Sequence, residues 1–478
     1  MYTFLACLAI LIVGYFTYGT FVSKSIGYDD NNPTPAIRLR DGVDYTPMPW
    51  YKVFLIQFLN IAGTGPIFGA ISGALFGPVA FLWITFGTLF AGGVHDYLSG
   101  VVSMKHDGIS VSEIVGIYLG DKMKNVMRVF SVILLVLVGT VFITSPAGLL
   151  TSMTGWDKML WVVIIIIYYI IATVLPIDKI IGKIYPLFGG ALLAMAIGLC
   201  GSMILGHVNG SMTMMELTME NLHPSGLSVF PFLFVTIACG AISGFHATQS
   251  PMMARCVGRE SESKRVFYGA MVVEGIVALI WCAVTIAFFG DTIAIQAGLD
   301  AFGGPSGVVN EISVGLLGKF GAILALLGVV ACPITSGDTA FRSARLTIAD
   351  AFKIKQDSLK SRFMLAIPLF VVGSFLTTIN FDIIWRYFAW SNQTLATIFL
   401  WTGAVFLLNN SKNFWIACLP ATPMTYVVIS YLLQAEEGFQ LPATFANTTG
   451  IIGAVLVFVW FMLKVKKTKA KQELEKAE

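Results

Sequence analysis

The chain has 478 residues, of which 56% are hydrophobic and 12% are charged, and its formal net charge is +3. Soluble proteins carry about 25% charged residues, so this composition indicates a polytopic membrane protein and excludes a sizeable soluble domain. The seven cysteines are scattered along the chain without a CxxC pair. The sequence therefore predicts neither a zinc site nor a disulfide framework, and it gives no reason to expect a metal or another cofactor.

Apolar segments long enough to cross a bilayer recur along the whole chain. A transmembrane helix needs about 20 predominantly apolar residues. The predicted fold class is therefore an all-α polytopic membrane protein with about 13 transmembrane helices. The thirteen candidate spans lie at approximately 3–22, 53–74, 78–102, 127–150, 159–176, 184–206, 229–253, 266–289, 319–342, 363–379, 383–407, 414–434 and 447–464.

The basic residues indicate which loops face the cytoplasm, because cytoplasmic loops are enriched in Lys and Arg. With the N-terminus placed outside, 27 of the 30 basic residues fall on the inner side. Lys158, Lys319 and Arg386 are the three that remain on the outer side. This distribution predicts an extracytoplasmic N-terminus and, after thirteen spans, a cytoplasmic C-terminus.

Two of the apolar segments are interrupted near their middle. The first contains Gly63, Thr64, Gly65 and Pro66, and both Gly and Pro disfavour a continuous helix. The second reads Ile-Ala-Cys-Gly-Ala-Ile-Ser-Gly-Phe-His at 237–246. Interrupted segments at corresponding places in two halves of a membrane protein point to a transporter binding site.

The spans form two groups of five once the first span is set aside, and each group begins with an interrupted segment. An odd number of spans gives the groups opposite orientations, as in the five-plus-five inverted repeat of the leucine-transporter (LeuT) type. One extra N-terminal helix and two extra C-terminal helices complete the architecture. The predicted organisation is an N-terminal helix (1–26), a cytoplasmic loop (27–52), the first repeat (53–206), an extracytoplasmic loop (207–228), the second repeat (229–408), two peripheral helices (409–465) and a cytoplasmic tail (466–478).

A helix broken inside the membrane exposes N–H groups at one half-helix end and carbonyl groups at the other, and lipid satisfies neither. The N–H ends favour a carboxylate, whereas the carbonyl ends favour a cation. We therefore expect a small carboxylate-bearing solute to bind between the two interruptions. The alternative is that both interruptions are kinks that allow close packing through small residues. His246 would then be a core residue whose hydrogen bonds are satisfied within the protein. The candidate substrate-binding residues are Gly63, Thr64, Gly65, Pro66, Gly240, Ser243, Gly244 and His246.

Ionisable residues inside the predicted spans are expensive to bury and therefore suggest function. His95 and Asp96 lie toward the inner end of the third span, and Glu274 lies within the eighth. All three are candidates for gating or for carrying a coupled proton. The alternatives are a helix end near the headgroups for His95 and Asp96, and structural polar pairing for Glu274.

Oxygen-bearing side chains are concentrated at the end of the ninth span, at Thr335, Ser336, Asp338 and Thr339. Hard cations prefer oxygen ligands, so these residues are candidates for binding a coupling ion together with carbonyl groups of the first interrupted span. Asp338 is also a candidate proton carrier. The alternative is an i, i+4 ion pair between Asp338 and Arg342 that stabilises the helix end.

Asn392 and Gln393, in the eleventh span, are interpreted as hydrogen-bonding groups between helices. The chain contains no P-loop, HExxH or GxSxG motif, so we do not expect an enzyme. Without a P-loop, the sequence gives no indication of an ATPase that would drive transport. No feature indicates a nucleic-acid partner. The sequence leaves the oligomeric state open.

Several segments together resemble a known family. They read NIAGTGPIFG at 60–69, AGGVHD at 91–96, KHDGIS at 105–110 and PFLFVTIACGAISGFH at 231–246, followed by the Thr335/Asp338/Arg342 segment and by 385–393. In this order they resemble the carbon starvation protein A (CstA) family of bacterial peptide and pyruvate transporters. The resemblance implies the inverted-repeat fold, the bacterial cytoplasmic membrane, and import of peptides or pyruvate during carbon starvation.

The expected function is therefore a secondary-active importer of a peptide or a small carboxylate such as pyruvate, coupled to H⁺ or Na⁺. Its partners would be that small molecule, the coupling ion and the lipid bilayer. A membrane sensor that binds a metabolite without transporting it is the main alternative. A membrane-integral enzyme would lack a recognisable catalytic cluster, and broken helices in both repeats disfavour a passive channel.

Overall fold

The computed structural model describes residues 1–42, 44–174, 178–218, 220–356 and 358–477. These ranges are largely helical, and within them the only β-type pairing is an isolated bridge between Met48 and Val257. Apolar segments form helices here because a helix satisfies its backbone polar groups internally, which lipid cannot do. The end of the predicted span 159–176, with the first residue after it, and the last residue of the predicted tail lie outside the described residues.

The helices follow one another with short connections. Their bounds are Tyr2–Phe16, Tyr18–Ile26, Pro35–Arg38, Trp50–Ile61, Thr64–Gly73, Val79–Phe86, Gly93–Lys105, Val111–Leu119, Asp121–Thr154, Lys158–Val174, Asp178–Val208, Phe234–Thr236, Gly244–Ala254, Gly269–Phe289, Thr292–Ala301, Pro305–Ala325, Cys332–Phe352, Leu359–Leu376, Phe381–Asn409, Trp415–Gln434 and Ala443–Ala477. Wider π-type turns join some of them into longer spans, at Gly87–Gly92, Val229–Leu233, Lys264–Tyr268 and Leu326–Ala331.

Within the described residues, ten helices are long and apolar enough to cross a membrane, and the bent pair Trp50–Ile61 and Thr64–Phe76 adds one more. The two other predicted spans also contain helical segments, at Lys158–Val174 and around the second interruption. The prediction of an all-helical membrane protein with many spans is confirmed. The count of thirteen and the inverted repeat stay predictions.

Two helices extend well beyond the apolar segments that predicted them. The helix Cys332–Phe352 continues ten residues past the predicted end at 342, and Ala443–Ala477 continues past 464. Hydropathy locates the part of a helix that lies in lipid, whereas charged residues also propagate a helix in water. At the other end of the ninth span, Gly318 has a φ of +60° and separates an outer helical segment from the span that follows.

Both predicted interruptions are present as breaks in the protein core. The first half-helices, Trp50–Ile61 and Thr64–Phe76, meet at an angle of 49°. In the second, the helix ends at Thr236 and resumes at Gly244, so that 237–243 is not helical. All residues at 61–66 and 237–247 are buried. We refer to these two elements as the first and the second broken helix.

The loop at 27–52 covers the side of the helix bundle that is predicted to face the cytoplasm. The Thr34 hydroxyl donates a hydrogen bond to the Val257 carbonyl at 2.7 Å. The Tyr45 hydroxyl donates to the Asp107 carbonyl at 2.8 Å. These contacts tie the loop to the segments that follow Gly93–Lys105 and Gly244–Ala254, at the predicted inner ends of two spans.

Candidate functional site

Four ionisable side chains that are distant in the sequence meet in the core. Asp96 Oδ1 lies 2.8 Å from His95 Nδ1, and Asp96 Oδ2 lies 2.8 Å from His246 Nδ1. On its other side, His246 Nε2 lies 3.3 Å from Glu274 Oε2. All four side chains are fully buried. The structure thus joins four predicted candidates into one chain of contacts, which we call the ionic cluster.

The geometry of the ionic cluster defines where its protons lie. Each oxygen of Asp96 faces an Nδ1 atom, so an ionised Asp96 holds a proton on Nδ1 of both histidines. The contact of His246 with Glu274 has the distance of an ion pair but not hydrogen-bond geometry. Two proton arrangements suit it: a cationic His246 beside a carboxylate, or a neutral His246 beside a protonated Glu274. The cluster can therefore hold a proton where an unpaired charge would be costly.

This arrangement bears on the position of His95 and Asp96, whereas their role in gating or proton coupling stays a prediction. Both residues lie in the buried interior rather than at a helix end near the headgroups. The helix Gly93–Lys105 that carries them packs directly against Gly244–Ala254, which carries His246. Ser99 Oγ on the first of these helices donates to Ser250 Oγ on the second at 2.8 Å. The third predicted span is thus fixed against the second broken helix.

Asn392 caps the second broken helix where the helix resumes. Its Oδ1 accepts a hydrogen bond from the Phe245 N–H at 2.7 Å, and its Nδ2 donates to Ser243 Oγ at 3.0 Å. The first N–H groups of a helix have no acceptor within the helix, so the Asn392 carboxamide supplies an acceptor for one of them. Gln393 Nε2 donates to the Phe234 carbonyl at 3.0 Å, on the other half-helix. The predicted interhelical role of both residues is confirmed.

Replacement of Asn392 by alanine is expected to lower the free energy of unfolding by about 1–3 kcal/mol, because the Phe245 N–H would remain in the core without an acceptor. Unfolding of the purified protein in detergent measures this change. Asn410→Ala is the matched control, since the Asn410 side chain bonds its own helix end at the Phe406 carbonyl. Equal stability of the two variants would contradict the capping role.

The glycines of the first interruption are closely packed. A Cβ atom on Gly65 would lie 2.6 Å from Cys239 Sγ, and one on Gly63 would lie 2.9 Å from the Phe142 ring. Because Cys239 belongs to the second interruption, Gly65 allows the two broken helices to approach each other. Close packing, the alternative proposed for these glycines, therefore applies in this conformation. Their role as substrate contacts stays a prediction.

Unpaired polar groups do occur beside the first interruption. Thr64 begins the second half-helix, is fully buried, and its Oγ1 has no hydrogen-bond partner in the described ranges. The carboxamide of Gln57, in the preceding half-helix, is in the same situation. Pro66 lies in the first helical turn, where its missing N–H removes no hydrogen bond. A buried unpaired group costs about 1–3 kcal/mol, so these groups favour a polar ligand at the break.

The four oxygen-bearing residues of the ninth span do not converge on one point. Ser336 Oγ lies 3.4 Å from the Leu59 carbonyl of the first broken helix, as a cation site there would require. Asp338 instead lies beside Arg342, with 3.7 Å between Oδ2 and Nη2. Residues two apart on a helix point about 200° away from each other, so one ion cannot contact both. Ser336 and Asp338 thus lie on different faces of the helix in this conformation, and the coupling role of each stays a prediction.

The two threonines of this group also have other partners. Thr335 Oγ1 donates to the Cys332 carbonyl and Thr339 Oγ1 donates to the Ser336 carbonyl, each at 2.7 Å within the same helix. These bonds leave the hydroxyl lone pairs available to a cation but do not require one. For Asp338, the ion pair that the sequence offered as an alternative is present.

A cavity of about 730 Å³ lies on the side predicted to be extracytoplasmic. Its walls come from the outer ends of spans and from the outer loops, and they include Lys158, His223, Asp300, Trp385 and Arg386. We call this cavity the vestibule. The sequence contains no signal for it, because its lining residues come from distant helix ends and loops that only the folded chain brings together.

Aromatic side chains connect the wall of the vestibule with the buried part of the first broken helix. The Trp385 ring packs against Phe381 and Phe68, with ring centroids 5.8 Å and 6.4 Å away. Phe68 belongs to the second half of the first broken helix and is fully buried. A Cβ on Gly69 would lie 3.4 Å from the Trp385 ring and 3.1 Å from the Thr236 carbonyl. Trp385 therefore lines the vestibule and contacts both broken helices.

The sequence model of the carbon starvation protein CstA family matches residues 1–154 and 145–311 of this chain. A membrane protein of Haemophilus influenzae is 42% identical over 63% of this chain and 95% of its own length. The peptide transporter CstA of Bacillus subtilis is 27% identical, over 97% of this chain and 96% of that protein. The pyruvate/proton symporter BtsT of Escherichia coli is 23% identical over 58% of this chain; the matched part spans about half of that longer relative, 47%.

The fold also has solved counterparts among cation-coupled transporters. Mhp1, a nucleobase-cation-symport-1 family transporter, superposes with a TM-score of 0.51 over 90% of this chain and 96% of its own, at 14% sequence identity. At this identity the likeness concerns the fold alone, which is that of the LeuT-type transporters. From the family match over residues 1–311, the chain belongs to the carbon starvation protein CstA family.

Proposed function

We propose that this protein imports a small carboxylate-bearing solute, a peptide or an acid such as pyruvate, by secondary active transport coupled to protons. The observation that carries the proposal is the ionic cluster: Asp96, His246 and Glu274 are fully buried and linked by contacts of 2.8 Å and 3.3 Å. Relatives named as peptide transporters and as a pyruvate/proton symporter support the substrate class and the coupling ion.

The ionic cluster adjoins the elements that move in transporters of this fold class. His246 lies on the second broken helix, three residues after its non-helical segment ends. Repeats of such transporters rock against each other around a site at the broken helices. A proton that changes the charge of His246 or Glu274 changes the attraction between the second broken helix and Gly269–Phe289. In this proposal, proton binding and helix movement are coupled through that contact.

The predicted inner and outer sides of the molecule differ in this conformation, as the proposed import requires. On the predicted cytoplasmic side, the loop at 27–52 is held against the spans by contacts such as Thr34 to Val257. The vestibule leaves the predicted outer side accessible as far as Trp385. In this proposal a solute enters from the vestibule and leaves after the inner contacts open. The N-terminus lies outside and the C-terminus in the cytoplasm of a bacterial inner membrane.

A specific observation also supports sodium as an alternative coupling ion. Ser336 Oγ and Cys332 Sγ approach the Leu59 carbonyl at 3.4 Å and 3.5 Å. A carbonyl end of a broken helix together with hydroxyl oxygens is suited to a monovalent cation. Proton and sodium coupling use different residues in this structure, so variants can separate them.

Uptake into proteoliposomes tests the function. Labelled pyruvate and labelled dialanine are supplied under an imposed pH gradient or an imposed Na⁺ gradient. Accumulation driven by the pH gradient is expected for at least one of the two solutes. Binding without accumulation under either gradient would reject transport and favour the sensor alternative.

Asp338→Asn is expected to weaken the dependence of uptake on the ion gradient several-fold, because the neutral amide no longer balances Arg342 and Arg345 at the inner end of the ninth span. The measurement compares initial rates with and without the gradient. Asp350→Asn, further along the same helix, is the control. Wild-type gradient dependence in Asp338→Asn would remove this residue from the coupling mechanism.

A further inference from the structure

The vestibule contains a cationic side chain without an anionic partner. Of the three basic residues predicted on the outer side, Lys158 and Arg386 line the cavity. Arg386 is neutralised by Glu437, with 3.0 Å between Nε and Oε2. Across the described residues, Lys158 has no carboxylate within ion-pair distance. Partial burial lowers the pKa of His223. Of the Lys and Arg residues that line the vestibule, Lys158 is therefore the one without an ion-pair partner in the described part of the chain.

The inner wall of the vestibule contains a buried donor that also lacks a partner. Trp385 lines the cavity and is 6% exposed. Its Nε1 has no hydrogen-bond acceptor within the described part of the chain. An indole N–H only donates, so whatever satisfies it must bring an acceptor. Thr151 lines the same cavity, and its buried hydroxyl is unpaired among the described residues as well.

We propose that the vestibule is a recognition site for the carboxylate of the transported solute, with Lys158 and the Trp385 N–H as its donors and the Thr151 hydroxyl as a third. That the bound solute is the transported one rests on the proposed function. A carboxylate matches these groups because it carries a negative charge and accepts several hydrogen bonds at once. Since Trp385 packs against Phe68, a solute held here lies directly above the first broken helix.

The same cavity also offers groups for a second end of the solute. Asp300 and Asp382 line it, together with Gln296. An ammonium group would pair with these carboxylates, whereas a simple keto acid has no group that would. The volume of about 730 Å³ falls within the range of about 300–1,000 Å³ for sites that enclose a drug-sized molecule. Dialanine and pyruvate share the carboxylate and differ in the ammonium, so they form the two arms of the test.

The test compares Lys158→Ala and Trp385→Phe with the control Lys319→Ala in proteoliposomes. Lys319 is the third predicted outer basic residue, is solvent-exposed and does not line the vestibule. We expect Lys158→Ala to raise the KM for uptake about tenfold with an unchanged maximal rate, because a charged hydrogen-bond partner is lost. Trp385→Phe keeps the ring contacts, removes only the N–H, and should also raise the KM. Lys319→Ala should behave as the wild type.

Two further measurements sharpen the result. Equilibrium binding of each labelled solute to purified protein in detergent should weaken in Lys158→Ala by the same factor as the KM rises. Added salt should weaken binding to the wild type more than to Lys158→Ala, because salt screens an exposed charge. If Asp300→Asn weakens the binding of dialanine and not of pyruvate, the vestibule also recognises the ammonium group.

The outcomes separate this proposal from the proposed function. Wild-type KM and binding in both Lys158→Ala and Trp385→Phe, with intact gradient-driven uptake, would overturn the recognition site and leave the transport function standing. Absence of uptake in the wild type, together with carboxylate binding that Lys158→Ala weakens, would reject transport and retain the binding site. Because Lys158 is on the surface, its variant should fold normally even if Trp385→Phe does not.

Discussion

Replacement of Glu274 by glutamine is expected to abolish concentrative uptake, while exchange of solute across the membrane continues. Glutamine has the shape of the protonated glutamic acid and can bond His246 Nε2, but it cannot release or bind a proton. In the wild type, His246 Nε2 and Glu274 Oε2 are 3.3 Å apart, a distance that suits one proton on either His246 or Glu274. In the variant this proton is no longer part of the transport cycle, so the pH gradient performs no work on the solute.

Two assays on the same proteoliposomes check this expectation. Under an imposed pH gradient, the internal solute concentration in Glu274→Gln should not exceed the external one. At equal pH on both sides, exchange of internal unlabelled for external labelled solute should stay within a few-fold of the wild type. Glu311→Gln, which changes a carboxylate outside the ionic cluster, should accumulate solute normally. Gradient-driven accumulation by Glu274→Gln would show that this residue does not carry the proton.

A methyl group added at Gly244 is expected to remove transport almost completely. The Cβ of an alanine there would lie 2.5 Å from the Asn392 carbonyl oxygen and 2.7 Å from the Ala396 nitrogen. Both are backbone atoms, which cannot rotate away as a side chain can. The helix Phe381–Asn409 would have to move, and the carboxamide that caps the second broken helix would move with it. Overpacking of this kind costs about 1–3 kcal/mol, and a shift of about 1 Å at a functional site costs about 100-fold in rate.

Gly201→Ala is the matched control for Gly244→Ala. Gly201 also lies in a helix, Asp178–Val208, but no atom lies within 4 Å of an added Cβ. Alanine favours a helix over glycine by about 1 kcal/mol, so Gly201→Ala should be as stable as the wild type or more stable, with full uptake. Both variants should insert into the membrane. Normal uptake by Gly244→Ala would reject the second broken helix as part of the transport site.

In the proposed function, the ionic cluster and the vestibule have different roles. The vestibule would recognise charge on the solute through Lys158, at the predicted outer side. The cluster holds a proton in the core, where a charge without a partner is costly. The aromatic contact of Trp385 with Phe68 and Phe381 lies between them. Variants of Lys158 should therefore change affinity, whereas variants of Glu274 should change coupling.

The amino-acid sequence alone determined the class of protein and the places where its helices break. Apolar segments of about 20 residues predicted spans because a bilayer core has a fixed thickness, and the described helices occupy those segments. Gly63 to Pro66 and Gly240 to Gly244 predicted the breaks because glycine and proline weaken helices wherever they occur. These properties are local, so they can be read from neighbouring residues.

Only the tertiary structure decided which polar residues act together. His95, Asp96, His246 and Glu274 were separate candidates in the sequence, and their contacts depend on how three helices pack. Ser336 and Asp338 are two residues apart, yet the packing of their helix places only Ser336 against Leu59, whereas Asp338 keeps its local pair with Arg342. The vestibule likewise gathers Lys158 and Trp385 from distant segments. Pairing inside a membrane depends on helix rotation and crossing, and these are set by contacts between segments that the order of residues does not specify.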